Sequence, residues 1–346
     1  MIKKQNDLIS MKKQNKTILV VGSHGFIGGY VCNLLINAGW DVVGVDSINM
    51  YKPQNWQLFF KHFEVRQKNL MIGLKHFYRM DASSPVEIST VIKEHKPNVV
   101  LNLGGTAVAD VCKQNIHEAV SSIYLLNATL LQALRSCDSL ERYIYASSSM
   151  VFGDFPSFAP NEEYPKNPID PYGAIKLGGE HLIQSFHNQF GLPYAVIRPS
   201  AVYGPLDSNG RVTGIFMKNA HLGQSLNVND SLEQLDFTYV EDLAMGFFLA
   251  CEKNEATNQV FNMTRGDART IKDLAIEIKN HFPNIEIKYG APAEHMAGLV
   301  RPNRGSLDIS KARKILGFNP STTLEKGIEI YAQKWREIFG AAGTPL

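Results

Sequence analysis

The sequence predicts an α/β protein, a doubly wound parallel sheet followed by a smaller α/β lobe. Three observations carry this expectation. From Thr17 to Arg198, short β-branched runs alternate with longer stretches of helical apolar period, the rhythm of strand–helix–strand crossovers. A glycine trio, Gly22, Gly25 and Gly28, separates the first strand from the first helix. After Gly204-Pro205 the alternation loosens, as a change of architecture would require.

The bulk numbers agree. With 346 residues, 44% hydrophobic and 20% charged, the chain can form one large core or two medium ones. A net charge of +2 gives no general case for nucleic acid as a partner. No apolar run reaches the roughly 20 residues that cross a bilayer, so no membrane is expected either. Cys32, Cys112, Cys137 and Cys251 lie far apart without metal-ligand spacing. They suit small buried residues in a reducing cytoplasm, and no metal is expected. Residues 1–16 are polar and basic and lack the apolar segment of a secretory signal. They read as a disordered tail, with Met11 a second candidate start. No internal repeat or low-complexity segment is visible.

Taken in order, Thr17–Val21 is a buried strand. Gly22-Ser23-His24-Gly25-Phe26-Ile27-Gly28 follows, then a helix to about Ala38, with Gly39 as its stop. Asp41–Asp46 is the second strand. This unit opens a dinucleotide-binding fold of the Rossmann type. Gly22 permits the tight turn, Gly25 lets backbone approach a pyrophosphate, and Gly28 lets helix pack on strand. The phosphates would meet free N–H groups at the helix N-terminus. The spacing is GxxGxxG rather than GxGxxG. Asp46, at the second strand's end, would accept hydrogen bonds from ribose hydroxyls and repel a 2′-phosphate, which favours NAD.

Residues 47–80, too long for a bare loop, should contain a helix. Met80-Asp81-Ala82 ends a third strand, from which Asp81 would meet the adenine amino group. Pro85–His95 reads as a helix and Asn98–Leu103 as a strand. Gly104 and Gly105 at its end allow backbone to approach a cofactor. Val111 to Arg135 reads as one long helix, Arg142–Ala146 as a strand, Tyr172–Phe190 as a long helix and Tyr194–Arg198 as a strand. Glu241–Cys251, Thr270–His281, Ser310–Leu316 and Leu324–Phe339 read as later helices. Residues 17–200 are thus expected to bind the cofactor. Residues 201–346 mainly bind substrate, with some late segments free to return to the first domain.

The chemistry centres on residues 147–176, SSSMVFGDFPSFAPNEEYPKNPIDPYGAIK. Tyr172 and Lys176 are four apart and share a helix face. An ammonium near a phenol favours phenolate. A serine hydroxyl from the preceding strand end can bind the same substrate oxygen. Together they would move a proton on and off an alcohol or carbonyl. Parallel sheets bind ligands beyond their carboxyl ends, where the glycine loop, Asp46, Gly104 and Ser148 all fall.

These pieces resemble the extended short-chain dehydrogenase/reductase family, specifically its NAD-dependent nucleotide-sugar epimerases and dehydratases. The likeness spans most of residues 17–330: GSHGFIG (22–28), Asp46, SSSMVFGD (147–154), PYGAIK (171–176), RPSAVYGP (198–205), DFTYVEDLA (236–244) and RPNRGSLDISKARKILGFNP (301–320). The resemblance implies Ser148, Tyr172 and Lys176 as catalytic residues. It implies NAD contacts at Gly22, Gly25, Phe26, Ile27, Gly28, Asp46, Asp81, Ala82, Leu103, Gly104, Tyr172 and Lys176. Ser149 and Arg301 would touch a nucleoside-diphosphate sugar. A homodimer through helices 111–135 and 172–190 is also implied.

Departures narrow the activity. Met150 stands where family dehydratases carry an acid, so loss of water is not expected. Ala201 replaces an Asn of many 4-epimerases, and Leu235 replaces a nucleotide-binding Arg. Arg211, Arg265, Arg269 or Arg304 could compensate for that arginine. Phe152 is the aromatic of the family's turn, and His24 is unusual in the glycine loop. Residues 46–79 loosely resemble the insertion of UDP-glucuronate 4-epimerases, with Asp46, Asn49, Tyr51 and a basic aromatic helix. The expected activity is 4-epimerisation of a nucleoside-diphosphate sugar, a UDP-sugar favoured, through a 4-keto intermediate, in carbohydrate biosynthesis. Decarboxylation of a nucleotide sugar or reduction of a keto sugar is the alternative. A non-catalytic NAD-binding regulator is the third reading.

Overall fold

The computed structural model describes residues 16–50, 56–290 and 302–344. The chain opens with β1 (Thr17–Val21), α1 (Phe26–Asn37) and β2 (Asp41–Asp46). The next elements are α2 (Trp56–Asn69), β3 (His76–Arg79), α3 (Pro85–His95) and β4 (Val99–Asn102). Then come α4 (Ala109–Gln114), α5 (Ile116–Ala119), a π-helical segment (Val120–Leu125) and α6 (Leu126–Leu134). β5 (Arg142–Ala146), α7 (Pro171–Phe190) and β6 (Tyr194–Arg198) complete the regular alternation.

These strands, with β10 (Gln259–Asn262), form a seven-stranded parallel sheet in the order β10-β6-β5-β4-β1-β2-β3. The strand order reverses beside β1, the usual place for a ligand crevice. The register brings the carboxyl ends level: Val21 pairs with Val45 and Asn102, and Asn102 with Tyr145. Helices cover both faces. On one, α1 packs with α9 (Val240–Glu252) around Phe26, Val31, Leu243 and Phe247. On the other, Ile88, Leu130, Leu131 and Ile183 seal α3, α6 and α7 to the strands. Buried side chains on both faces explain the continuous apolar strand sequences.

The second lobe carries β7 (Ala201–Tyr203), α8 (Val212–His221), β8 (Leu226–Val228) and β9 (Gln234–Tyr239). It also carries β11 (Ala268–Thr270), α10 (Ile271–His281), β12 (Ile287–Tyr289) and, past α11 (Ser310–Leu316), α12 (Leu324–Phe339). A three-stranded sheet, β11-β9-β7, and a two-stranded one, β12-β8, pack on a core that includes Met217, Phe237, Leu274, Ile328 and Trp335. Leu58 of α2 joins this core, so the helix after β2 bridges the two lobes. Conversely, α9, β10 and α11 lie against the first sheet although they follow residue 200.

Two sequence expectations are corrected. The single helix over 111–135 is broken at Asn115, whose backbone leaves the helical region at φ −138 and ψ 82. The Asn115 side chain accepts the Glu118 N–H at 3.1 Å and so restarts the helix as a cap. A π turn over 120–125 then shifts the register. The third strand ends at Arg79 rather than Ala82. Met80 still donates to Asp46 O at 3.1 Å, but Asp81 turns to accept the Ser83 N–H. Residues 1–15 and Tyr51 lie outside the described residues.

Candidate active site

A cavity of about 1210 Å³ runs between the carboxyl ends of the large sheet and the second lobe. Gly22, Gly25, Phe26, Ile27, Gly28, Asp46, Asp81, Ala82, Leu103, Gly104, Ser148, Ser149, Tyr172 and Lys176 all line it. Arg301 lies outside the described residues.

One end is built from backbone. A Cβ on Gly28 would lie 2.0 Å from the Gly22 carbonyl oxygen, so no side chain fits the loop as folded. Gly25 caps α1 without any side-chain bond, which leaves the first N–H groups of the helix pointing at the cavity. Asp46 is held by two backbone donors, His24 N–H at 2.9 Å and Ile48 N–H at 2.7 Å, one on each oxygen. Each oxygen keeps a lone pair for a ribose hydroxyl. The residues present therefore fit a dinucleotide: an anion cradle free of side chains, then a fixed carboxylate at the next strand end.

The His24 ring lies 3.9 Å from the Phe77 ring, tilted by 40°, and contacts Ser23 Oγ through Nδ1 at 2.9 Å. Burial lowers its pKa, so it adds no charge to the loop at neutral pH. The buried Arg66 of α2 does add one. Burial pulls its guanidinium down to about 10, Asp207 and Asp46 support the charge, and Nη1 donates to Leu206 O at 2.7 Å.

The middle of the cavity is built from side chains. Ser148 caps the turn Ser149–Phe152, accepting the Met150 N–H on Oγ at 3.2 Å. Asp170 caps α7 through the Gly173 N–H at 3.0 Å, and Pro171 occupies the first helical position. Tyr172 thereby falls in the first turn. A Cβ on Gly173 would lie 2.4 Å from Met150 O, so glycine lets this turn reach the Ser148 segment. The Ser148 hydroxyl lies close enough to the Tyr172 phenol to lower its pKa. Lys176 Nζ lies 5.9 Å from the centre of the Tyr172 ring and donates to Ala146 O at 2.7 Å.

The expected electrostatics are corrected here. Desolvation pushes the Tyr172 phenol up to about 12, and the Arg211 charge and the nearby Ser148 hydroxyl pull it down by less. Lys176, itself drawn down to about 8 by burial, spends its ammonium on a carbonyl instead of on the phenol. Sequence spacing places the pair on one face; it does not report how much water the fold removes.

The far end lies in the second lobe. Ala201 and Leu235 line it, as does Met150. Of the four arginines considered, Arg211 and Arg304 reach the cavity wall. Arg211 spans from Asp207 Oδ2 to Ala107 O, both at 3.3 Å. Arg304 pairs with Glu233 at 3.3 Å and lies 3.8 Å from Met150 Sδ. Arg265 instead donates to Pro320 O, and Arg269 pairs with Glu325 at 2.6 Å, both away from the wall. The sequence reading missed Arg66 and Glu180. Glu180 was within reach, since it continues the four-residue spacing of Tyr172 and Lys176.

In sequence and in fold the chain is similar to known proteins. The family model described as the NAD dependent epimerase/dehydratase family matches residues 18–264. UDP-glucose 4-epimerase of Mycolicibacterium smegmatis is 27% identical over 323 residues, covering 90% of this chain and 95% of that protein. The crystal structure of Thermotoga maritima UDP-glucose 4-epimerase with UDP-glucose aligns with TM-score 0.81 and 27% identity, covering 93% of this chain and 99% of that one. Bacillus cereus UDP-glucuronic acid 4-epimerase, in complex with UDP-glucuronic acid and NAD, aligns with TM-score 0.83 and 25% identity, covering 93% and 100%. This chain belongs to the NAD dependent epimerase/dehydratase family.

Proposed function

We propose that the protein is an NAD-dependent nucleotide-sugar 4-epimerase acting on a UDP-sugar. The observation that carries this is one cavity lined together by the glycine cradle, Asp46, Ser148 and Tyr172, with Lys176 in the next helical turn. Met150 offers no acid to a leaving hydroxyl, which favours epimerisation over dehydration.

The glycine cradle and Asp46 would hold NAD, which would supply a reversible hydride acceptor at sugar C4. The chain's own residues handle the proton and the oxygen. Tyr172 accepts the proton of the 4-hydroxyl as phenolate and gives it back after the keto sugar has turned. Ser148 holds the sugar oxygen throughout. Arg211 supplies positive charge that favours the phenolate. The raised proton affinity of the half-buried Tyr172 suits its return of the proton. Ser149 and the arginines at the far end hold the sugar and its diphosphate.

The second lobe is read as the substrate-binding unit. Among the described residues no helix is long and apolar enough to cross a membrane. The four free cysteines suit a cytoplasmic protein. A homodimer would cover Ile116, Leu125 and Phe190, which stand exposed on or beside the two helical stretches expected to pair.

The test is incubation of the purified protein with UDP-glucose, UDP-glucuronate and UDP-N-acetylglucosamine without added cofactor, followed by chromatography and mass spectrometry. The expected product is an isomer of equal mass. Loss of carbon dioxide, or turnover only with added NAD(P)H, would move the activity to a decarboxylase or a reductase. No turnover of any nucleotide sugar would leave the regulator reading.

A further inference from the structure

Behind the Ser148–Tyr172–Lys176 cluster lies a second set of charged groups that touches no part of the cavity wall beyond Ser147. Glu180 and Arg198 are each 2% exposed, and Ser147 is 3% exposed. Glu180 stands four residues after Lys176 and eight after Tyr172, on the same helix face. Arg198, the last residue of β6, holds its carboxylate with two parallel bonds, Nε at 2.9 Å and Nη2 at 2.6 Å. Ser147 Oγ donates to the same carboxylate at 2.5 Å. Arg198 also donates from Nη1 to Glu162 O at 3.0 Å and lies 5.1 Å over the Phe152 ring.

These contacts surround Ser148 in the chain. Ala146, two residues before it, accepts from Lys176. Ser147, one before it, is bound to Glu180. Phe152, at the end of its turn, rests under Arg198. The segment bearing Ser148 is therefore fastened directly to the helix that bears Tyr172 just before the serine, and after it rests on Arg198 of β6, which Glu180 of that helix holds. Stability alone gives little reason for such a pair, because a buried ion pair is often matched or exceeded by apolar side chains of similar volume. What apolar residues cannot supply is a directed link from α7 to Ser147 and a negative charge near Lys176.

We propose that Glu180 is a positioning residue for the proton transfer: through Ser147, Arg198 and Lys176 it sets where Ser148 stands relative to Tyr172. Its charge has a second consequence. Lys176 is faced by Tyr172 and Glu180 from its own helix, by the Tyr145 ring at 4.9 Å from β5, and by Cys112 from α4. Against the burial that draws Lys176 down, Glu180 is the charged group that supports its ammonium, because burial keeps the Cys112 thiol neutral in that range.

The inference rests on reading Ser148 and Tyr172 as the proton-transfer pair, so its test carries one readout that needs no turnover. Three variants of the NAD-loaded protein are compared with wild type: Glu180→Gln, Ser147→Ala, and the double variant Glu180→Leu with Arg198→Met. The double variant removes both charges and keeps a folded core. Its expected kcat falls on the order of 10²-fold with little change in KM, the cost of a misplaced catalytic group. Ser147→Ala, which breaks only the link to the serine turn, lowers kcat by about tenfold. In the cofactor-free Glu180→Gln protein, the Lys176 midpoint followed by carbon-13 lysine NMR moves to lower pH. A folded double variant with wild-type kcat, or Ser147→Ala with wild-type kcat, would show that the network is structural and overturn the proposal. An unmoved Lys176 midpoint overturns its electrostatic part. If wild type turns over no UDP-sugar, the function reading fails, and the Lys176 midpoint still decides that part.

Discussion

The two ends of the cavity are built in opposite ways. At the cofactor end the contacts come from backbone: free N–H groups of α1, a loop whose Gly28 has no room for a Cβ, and Asp46 fixed by two main-chain donors. At the substrate end they come from side chains brought together from β7, the loop before α8, β9 and the segment after residue 302. A backbone site is specified by absences at fixed spacing, so glycine spacing alone reveals it. A side-chain site is specified by whichever residues the fold brings together. There the arginine expected at 235 is a leucine, and Arg211 and Arg304 reach the wall from elsewhere.

The largest effect should come where the two ends meet. Tyr172→Phe removes the proton carrier and leaves the cradle untouched. Its turnover should fall about 10³-fold or more while the protein retains its bound NAD, measured as isomer formation and as nicotinamide released on denaturation. Turnover within a few-fold of wild type would end the proton-transfer reading. Loss of NAD together with turnover would show that the two ends are not separable at this residue.

Gly28→Ala isolates the backbone end. The new Cβ meets a main-chain oxygen that no rotamer change can move aside. The protein should purify without NAD, and it should lose about 2 kcal/mol of stability or more in denaturant unfolding. Normal NAD content in this variant would mean that the loop relaxes easily and does not depend on its glycines.

This contrast also explains what could be read in advance. β1, β2, β5, β6, α3, α11 and α12 fall where their periodicity places them, because strands buried on both faces and amphipathic helices leave strong patterns. The convergence of Gly22, Asp46, Gly104, Ser148 and Tyr172 on one cavity followed from parallel topology alone. The breaks were harder. Asn115 ends and restarts a helix inside a continuous apolar stripe, and β10, β11 and β12 have only three or four residues each, too short to show alternation. The high proton affinity of Tyr172 depends on how much water the fold excludes, which no local pattern records.

The substrate end is sharpened by comparing arginines. Arg211→Gln and Arg304→Gln should each raise KM for the UDP-sugar about tenfold, the loss of one charged hydrogen bond to a phosphate or sugar oxygen, with kcat changed less. Arg265→Gln and Arg269→Gln remove side chains that point away from the cavity and should leave KM near wild type. The exposed Arg269–Glu325 pair should cost less than about 1 kcal/mol of stability. If the second pair of variants raises KM and the first does not, the lobe binds substrate in another orientation.

The smallest effect is a pH dependence at the junction of the two ends. The Lys176 pKa is lowered by burial to about 8, so its ammonium is present below that value and lost as pH rises through it. If the ammonium contributes to holding the nicotinamide ribose, NAD binding to the cofactor-free protein should weaken a few-fold between about pH 7 and 9. Titration calorimetry would follow it. Lys176→Met should bind more weakly at pH 7 and lose the step. Asp46 lies at the other end of the cofactor site. A step that persists without Lys176 would therefore have to come from another group, and the junction would carry less of the cofactor than the backbone cradle does.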